Sequence, residues 1–257
     1  MTQTPDTQAA ELQPNEDINL QTAFARIVER RRSCRLFEPE PMPEVLLRKA
    51  LHEATLSANS SNMQTWEFHW VRTPELKAKI AEACMSQPGA VSAPDLIVLV
   101  YRRSKYKAHT RFMLEYLKQN LPANTPPSKR KERFAYYEKL MPLLYWQDFF
   151  GLKGYLLKPF FSFQGLFKPT FRQTLKADLR IMGHKSLALA GQTLMLSIAA
   201  AGYDSLPMEG LDTARIKKVL GLRGCEVSWV LAVGKGKPEG LYGPRIRVPE
   251  EQVIFTY

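Results

Sequence analysis

The sequence predicts an α/β protein in which helices and strands alternate within a single domain. Its 257 residues are enough to bury a large core without disulfides. Segments at 66–71, 95–101 and 227–233 have the alternating or β-branched pattern of strands, and helical patterns lie between them. One long helix, 182–201, is apolar nearly all round, which is typical of a helix at the centre of a molecule or at a subunit interface. No internal repeat or clear linker divides the chain.

Helix and strand signals follow one another in a regular order. Residues 66–71 alternate like a strand, and the continuous run DLIVLVY at 95–101 is typical of a strand buried on both faces. Gly202 is expected to end the long apolar helix. The predicted helices cover 20–32, 43–56, 74–84, 105–120, 130–150, 182–201 and 212–220.

The first nineteen residues are polar and acidic and contain no apolar run. They are predicted to form a flexible lead-in rather than a signal peptide or an anchor, so the domain is expected over 20–257. No stretch of eighteen apolar residues follows, and Cys34, Cys84 and Cys225 lack CxxC spacing. These features argue against a zinc ribbon or a disulfide framework and predict a cytoplasmic protein.

Much of the net charge of +11 lies in one part of the chain. Residues 102–133 contain ten Lys or Arg against Glu115 and Glu132. No nucleic-acid-binding signature accompanies this charge, so a solvated face is favoured over nucleic-acid binding. The sequence also lacks a dinucleotide fingerprint, a P-loop, a nucleophile elbow and an HExxH motif. Its four histidines are scattered, and no metal site is predicted.

Two arginine clusters lie near opposite ends of the chain. In RRRSCR at 30–35, Arg31 and Arg35 are four residues apart at a predicted helix end, and Ser33 adds a hydroxyl. In PRIRVP, Arg245 and Arg247 would point to one face of an extended chain. Guanidinium groups bind phosphate oxygens bidentately, so either cluster is a candidate phosphate site. A solvated basic edge is the alternative for each.

The loop SANSSNMQTWEF at 57–68 concentrates hydroxyl and amide side chains just before a strand. Such groups both donate to and accept from the edge of a flavin, a nicotinamide or a base. Local capping after a helix is the alternative interpretation.

The segment 31–68, RRSCRLFEPEPMPEVLLRKALHEATLSANSSNMQTWEF, resembles the opening of the nitroreductase family of FMN-dependent oxidoreductases. That family reads RRSxRxF and, after a helix, APSSxNxQPWxF. PMEG at 207–210 is similar to the family's turn after its central helix, and PRIRVPEE is similar to its closing motif. The resemblance covers about 20–100 and 180–255. It implies a mixed, mainly antiparallel sheet flanked by helices.

The resemblance also implies roles for individual residues. The family's contacts to the FMN phosphate and ribityl chain correspond to Arg31, Arg32, Ser33 and Arg35. Its second phosphate clamp corresponds to Arg245 and Arg247. The loop that lines the flavin corresponds to Asn59, Ser60, Ser61, Asn62 and Gln64. In many members this loop comes from the partner subunit.

The turn at 207–210 carries the implied catalytic position. Pro207, Met208, Glu209 and Gly210 match the turn whose backbone N–H approaches flavin N5, the hydride-accepting atom. A further flavin contact of the family falls between the first two strands, where Ser86 and Gln87 are candidates. The chain departs from the family in its loop, since it lacks the proline of APS and has Thr65 in place of the proline of QPW.

The implied activity is transfer of hydride from NADH or NADPH through the flavin to an electron-poor small molecule, such as a nitroaromatic or a quinone. The cofactor carries the redox chemistry, which agrees with the lack of an acid–base dyad. The resemblance also implies a homodimer with its site at the interface, where helix 182–201 would pack. A monomer with this helix in its core is the alternative.

Residues 102–180 are longer than the family's usual connection and form a predicted insertion. Its stretch 142–171 holds ten aromatic residues: Tyr145, Trp146, Phe149, Phe150, Tyr155, Phe160, Phe161, Phe163, Phe167 and Phe171. A solvated loop would not tolerate that much apolar surface. Three interpretations stay open: packing of these aromatics on the core, a lid over the flavin, and a membrane-surface patch flanked by lysines.

Two other functions stay open beside the reductase. The same scaffold could carry a specialised flavin chemistry, such as dehalogenation, ring cleavage or dehydrogenation. A flavin-holding, membrane-associated protein with little turnover is the alternative outside enzymes.

Overall fold

A four-stranded antiparallel sheet is the middle layer of the protein. In the computed structural model, which describes residues 19–146, 148 and 150–257, the strands are β1 (Trp66–Val71), β2 (Asp95–Tyr101), β3 (Asp204–Met208) and β4 (Glu226–Gly234). Their order is β1-β2-β4-β3. The α/β class and the mainly antiparallel sheet are therefore confirmed. The parallel component is one bridge, between Ser33 and Ser205.

Helices cover both faces of the sheet. Their bounds are α1 (Leu20–Arg30), α2 (Glu44–Thr55), α3 (Pro74–Ala83), α4 (Pro88–Ser92), α5 (Tyr106–Asn120), α6 (Pro127–Ala135), α7 (Met141–Tyr145), α8 (Leu152–Gln164), α9 (Lys176–Ala200) and α10 (Thr213–Val219). The lead-in predicted for 1–19 lies outside the described residues except for Asn19, whose Oδ1 accepts from Thr22 N at 3.1 Å and caps α1.

Several elements differ from the sequence predictions, among them α4 and α8, which are not among the predicted helices. Strand β3 was not predicted, because DSLPM contains Pro207 and few β-branched residues; its edge position tolerates a proline. Helix α9 begins six residues before the predicted 182, since its polar first turn is held by Asp178, whose Oδ2 accepts from Leu175 N at 2.9 Å. The helix predicted at 130–150 ends at Tyr145, after a π-helical turn at 136–140.

Strand β2 is buried on both faces, as its apolar run predicts. Its even-numbered residues face α3 and α10, and its odd-numbered residues face α2 and α9. The first cluster includes Leu96, Val98, Val100, Ile80 and Ile216, and the second includes Ile97, Leu99, Tyr101, Leu47, Leu187 and Leu194. The molecule is therefore a three-layer sandwich.

Helix α9 lies directly on the sheet because two of its residues are glycines. A Cβ atom at Gly183 would overlap the ring of Tyr101, and one at Gly191 would overlap the ring of Trp229. The aromatic rings occupy the space that larger side chains would take. The axis of α9 is thus fixed relative to the strands over most of its length.

The segment between β2 and α9 divides into a packed part and an exposed part. Helices α5 and α7 pack on the 57–64 loop in a small cluster of Met63, Tyr106, Met113, Met141 and Tyr145. Helix α8 is exposed along most of its length. Of the nine described aromatic side chains in 142–171, only Tyr145 is buried, and Phe149 lies outside the described residues.

Glu67 on β1 binds the start of the segment between β2 and α9 through its carboxylate. Its Oε1 accepts from Arg102 Nε at 2.8 Å and lies 3.3 Å from Lys105 Nζ. Burial opposes ionisation of Glu67, but the bonds from these cations outweigh burial and lower its pKa to about 2.

We expect Glu67→Gln to lower the free energy of unfolding by about 1–3 kcal/mol near neutral pH. The pKa of Glu67 in the folded state lies below the unfolded value of about 4.3. The Glu67 carboxylate therefore contributes fully to the free energy of unfolding above that pH, and this contribution is lost as the pH falls toward 2. Urea unfolding at several pH values should therefore show the difference shrinking below about pH 4. Glu75→Gln, at an exposed glutamate of α3, is the control. A pH-independent difference would contradict this account.

Candidate functional site

The two predicted arginine clusters meet in one cavity. Its volume is about 230 Å³, and it is lined by Arg31, Arg32, Ser33, Arg35, Tyr242, Pro244, Arg245, Ile246 and Arg247. The first cluster follows α1 directly, and the second lies on the extended tail. All six residues predicted to contact phosphate therefore line the same cavity, although the two motifs are far apart in sequence.

The tail is held there by the exposed carbonyls at the end of α1. Arg245 Nη2 donates to the carbonyl oxygens of Val28 at 3.1 Å, Glu29 at 2.9 Å and Arg31 at 2.8 Å. Carbonyls at a helix C-terminus lack partners and carry negative partial charge, so a guanidinium binds them well. Arg245 therefore serves as the anchor that brings its neighbour Arg247 to the cavity.

Positive charge accumulates in this cavity without neutralisation. Burial, and then the charges of Arg245, Arg247 and Arg32, lower the pKa of Arg31 below its ordinary value. Within the described ranges, none of the cavity's arginines forms an ion pair with a carboxylate. The guanidinium of Arg35 stacks on the Tyr242 ring at 4.7 Å. A polyvalent anion is the ligand that such a cluster suits.

Strand β3 connects the cavity to the predicted turn at 207–210. Ser33 bridges Ser205 near the start of β3, and the strand then runs away from the arginines. Gly210 lies five residues further on, two residues past the end of β3, which is at most about 16 Å at the rise of an extended strand. Pro207 and Met208 belong to β3 rather than to a turn, which corrects the sequence prediction.

Glu209 and Gly210 are exposed just beyond the strand, where a side chain holds them. Gln87 Nε2 donates to the Gly210 carbonyl at 2.8 Å and to the Cys84 carbonyl at 3.0 Å. In the direction that a Cβ would take, Gly210 is open except for Gln87 Nε2, which would lie 3.5 Å from that Cβ. Flat groups can therefore approach this backbone closely.

Gln87 is thus the functional candidate that sequence reasoning could not separate from Ser86. Its segment is strained, with φ of 58° at Met85 and 49° at Ser86. It then enters α4, where a Cβ on Gly89 would overlap the Leu206 side chain and would lie 3.6 Å from Arg35 Cα. Residues 85–89 therefore line β3 from the Arg35 end to Gly210. The breakers Pro88 and Gly89 after α3 were the only sequence signal.

The 57–64 loop has a different set of neighbours. Ser60 N donates to Ser186 Oγ at 3.3 Å, and Ser60 Oγ lies 3.0 Å from Met182 Sδ. Ser61 Oγ lies 2.8 Å from Tyr136 OH. Inside the loop, Asn59 Oδ1 accepts from Gln64 N at 2.9 Å, and the left-handed residues are Ser61, Asn62 and Gln64. The loop is therefore built against the first half of α9 and the segment before it.

Within one chain, the loop and the arginine cavity lie at different ends of α9. Arg30, next to the cavity, donates from Nε to the carbonyl of Ala199 at 3.0 Å. Ser60 instead contacts Ser186, thirteen residues earlier, which is about 20 Å along the helix. A single chain does not bring the predicted flavin loop and the predicted phosphate clamp together.

A solvent-exposed stripe of α9 runs between the loop and Glu209. The stripe contains Ile181, Lys185, Ala188, Leu189 and Gln192, which recur at helical spacing. On one side it borders a cleft of about 510 Å³, which Glu209 and Ser228 also line. On the other side Ser57 Oγ bonds Thr193 Oγ1 at 2.7 Å.

The chain matches the family model described as "Nitroreductase family" over residues 28–235. A curated relative from Thermus thermophilus, named NADH dehydrogenase, is 26% identical over 227 residues, covering 88% of this chain and 92% of the relative. The CLA biosynthesis enone reductase of Lactiplantibacillus plantarum is 25% identical over 228 residues, covering 86% of this chain and 89% of that protein.

Solved structures share the fold. A nitroreductase-like protein from Streptococcus mutans superposes with a TM-score of 0.68 at 19% identity, covering 92% of this chain and 99% of that chain. A protein from Exiguobacterium sibiricum, solved in complex with FMN, superposes with a TM-score of 0.66 at 22% identity, covering 91% of this chain and 97% of that chain.

Proposed function

The chain belongs to the nitroreductase family, and on that premise we propose that it is an FMN-dependent oxidoreductase. Its electrons would come from NADH or NADPH and pass to an electron-poor small molecule, such as a nitroaromatic or a quinone. When bound, FMN would supply the hydride-transfer chemistry between the nicotinamide and the acceptor. The protein's part is to hold the phosphate, to position the ring and to limit access to it.

The observation that carries this proposal is the convergence of the arginines on one small cavity. Arg31, Arg32 and Arg247 bring positive charge to a space of about 230 Å³ in which the described residues offer no carboxylate partner. Such a cluster repels itself until an anion binds. A terminal phosphate of FMN, with its negative charges and several acceptor oxygens, fits this requirement.

The other end of β3 fits the ring. Gly210 leaves its surroundings open, and Gln87 holds the Gly210 carbonyl, so the backbone of Glu209 and Gly210 is oriented before any ligand arrives. A fixed backbone N–H directed at flavin N5 would make that atom a better hydride acceptor. The arginine cavity and Gly210 lie along one edge strand of the chain, so one molecule with a phosphate tail and a flat ring would contact both.

We further propose that two copies of the chain form the complete site. The 57–64 loop carries polar groups suited to a ring edge but lies about 20 Å along α9 from the arginine cavity of its own chain. The exposed stripe of α9 separates this loop from the Glu209 cleft. A twofold contact along the stripe would place each loop beside the partner's cleft.

The phosphate assignment predicts that Arg31→Ala with Arg247→Ala weakens FMN binding by about a hundredfold or more, because two charge-assisted contacts are lost. Titration of the apoprotein by flavin fluorescence measures this. Riboflavin, which lacks the phosphate, should bind both proteins alike. Arg111→Ala with Arg130→Ala, at two exposed arginines elsewhere, is the control of equal charge. Unchanged FMN affinity in the first variant would show that the anion assignment is wrong.

The reductase assignment predicts that NADH or NADPH bleaches the flavin absorbance of the FMN-loaded protein without oxygen, and that a quinone or a nitroaromatic then restores it. Anaerobic stopped-flow absorbance follows both half-reactions. If neither nicotinamide reduces the flavin, the protein either takes electrons from another donor or turns over little, and the proposed activity fails even where FMN is bound.

The two-copy site predicts that Leu189→Arg converts an FMN-loaded dimer into a monomer that has lost FMN, because a buried, unpaired charge would face its own symmetry mate. Analytical ultracentrifugation with absorbance detection of the flavin reports both properties. Val45→Arg, at an exposed position of α2, is the matched control. A wild-type monomer that holds one FMN would overturn the dimer.

A further inference from the structure

Helix α8 has an unusual arrangement, since its apolar stripe points into solvent. The residues Leu152, Tyr155, Leu156, Phe160 and Phe163 recur at intervals of three and four, so they share one face. Their exposed fractions are 57%, 66%, 78%, 59% and 65%. Leu166 and Phe167 extend this face beyond the helix end with exposures of 74% and 75%. We call this surface the α8 stripe.

The opposite side of α8 is where the helix meets the protein. Gly154 is the helix's only buried residue, and every residue of α8 is described. Its carbonyl accepts from Thr174 Oγ1 at 3.2 Å, and a Cβ there would lie 2.6 Å from the Thr174 carbonyl oxygen. Gly165 likewise sits against Arg172, whose Nη2 donates to the Gly165 carbonyl at 2.6 Å. Because the chain returns along this side, the α8 stripe is the side left open.

The charged side chains of α8 and of the residues after it are basic, and Asp148 before the helix accepts from the backbone N–H groups of Leu152 and Lys153. Residues 150–177 contain basic side chains and no Asp or Glu. Lys158 lies on one flank of the stripe and Lys168 follows its end, whereas Lys153 Nζ donates to the Trp146 carbonyl at 2.9 Å and lies over the Trp146 ring. Long lysine side chains at such flanks can extend toward an anionic surface while the apolar side chains between them are buried.

We propose that the α8 stripe binds the surface of an anionic lipid bilayer. Phenylalanine, leucine and tyrosine side chains would enter the interface, and the flanking lysines would lie at the level of negatively charged headgroups. In the described part of the chain, every helix is either too short or too polar to span a bilayer, so the contact is peripheral.

The charge pattern favours this occupant over a second copy of the chain. A twofold contact between two α8 stripes would bring basic segments without acidic residues against each other, which costs free energy. An acidic lipid surface supplies the missing negative charge, and it accepts an apolar stripe of any outline because it is fluid.

The test is co-sedimentation of the full-length, FMN-loaded protein with vesicles. We expect binding to equimolar phosphatidylglycerol and phosphatidylcholine, and little binding to phosphatidylcholine alone. Phe160→Asp with Phe163→Asp should weaken binding at least about tenfold, because two buried aromatic groups are replaced by charges. The matched control is Phe112→Asp, at a phenylalanine of α5 that is 64% exposed.

We call Phe160→Asp with Phe163→Asp the stripe variant. A second pair of variants tests the contribution of charge to binding separately from that of apolar contact, and it does not depend on whether the stripe variant folds. Lys158→Glu with Lys168→Glu should weaken binding about tenfold or more, whereas Lys79→Glu with Lys218→Glu, which alters net charge equally at exposed sites, should not. FMN content and the unfolding midpoint should be unchanged in all variants, since these side chains are exposed.

Three results would overturn the proposal. The wild type could fail to sediment with either vesicle, or the stripe variant could bind as the wild type does. Alternatively, the stripe variant could lower the oligomeric state in lipid-free solution while vesicles capture no wild-type protein, which would assign the α8 stripe to a second copy.

Discussion

The close approach of α9 to the sheet is the constraint on which the arrangement of the candidate site depends. Gly183 and Gly191 leave room for the rings of Tyr101 and Trp229, so the helix lies flat across the strands. A packed interface of this kind cannot slide or tilt without creating overlap or voids. The positions of everything attached to the helix follow from this contact, from the loop at Ser60 to the arginine at its last turn.

A long, fixed helix also explains why the site elements are divided. The arginine cavity, β3 and the 85–89 segment form one continuous strip in a single chain. The 57–64 loop is held elsewhere on α9, and three of its residues adopt left-handed backbone conformations that neighbouring contacts maintain. Preorganisation of each part therefore comes from its own chain. In the proposed dimer, contact along the exposed stripe of α9 joins the parts of two copies.

The segment between β2 and α9 has two different physical characters. Its first part is held to the body by Glu67 and by the cluster around Met113 and Tyr145. Its second part turns its aromatic side chains outward, contrary to the interpretation in which they all pack on the core. Burying large aromatic side chains is strongly favourable, and their exposure here is the observation on which the proposed lipid contact rests. Residues of α8 line neither the arginine cavity nor the Glu209 cleft of their own chain.

Local sequence patterns predicted those elements whose burial or charge follows from the spacing of their own residues. The run DLIVLVY predicted a strand buried on both faces, and the basic residues on either side of Ser33 predicted an anion site, because periodicity and charge are properties of a few consecutive residues. The order of the family motifs predicted the fold in the same way. Only the tertiary structure brought Arg247 to Arg31, through the carbonyls that Arg245 binds at the end of α1.

Tertiary contacts also decided what local patterns could not. Strand β3 exists because it pairs with β4 at an edge, Gln87 matters because its amide reaches Gly210, and the α8 stripe faces outward because Gly154 packs against Thr174. Each of these depends on a partner distant in sequence. The spacing of residues shows which face of a helix is apolar, but what covers that face is set by the rest of the chain.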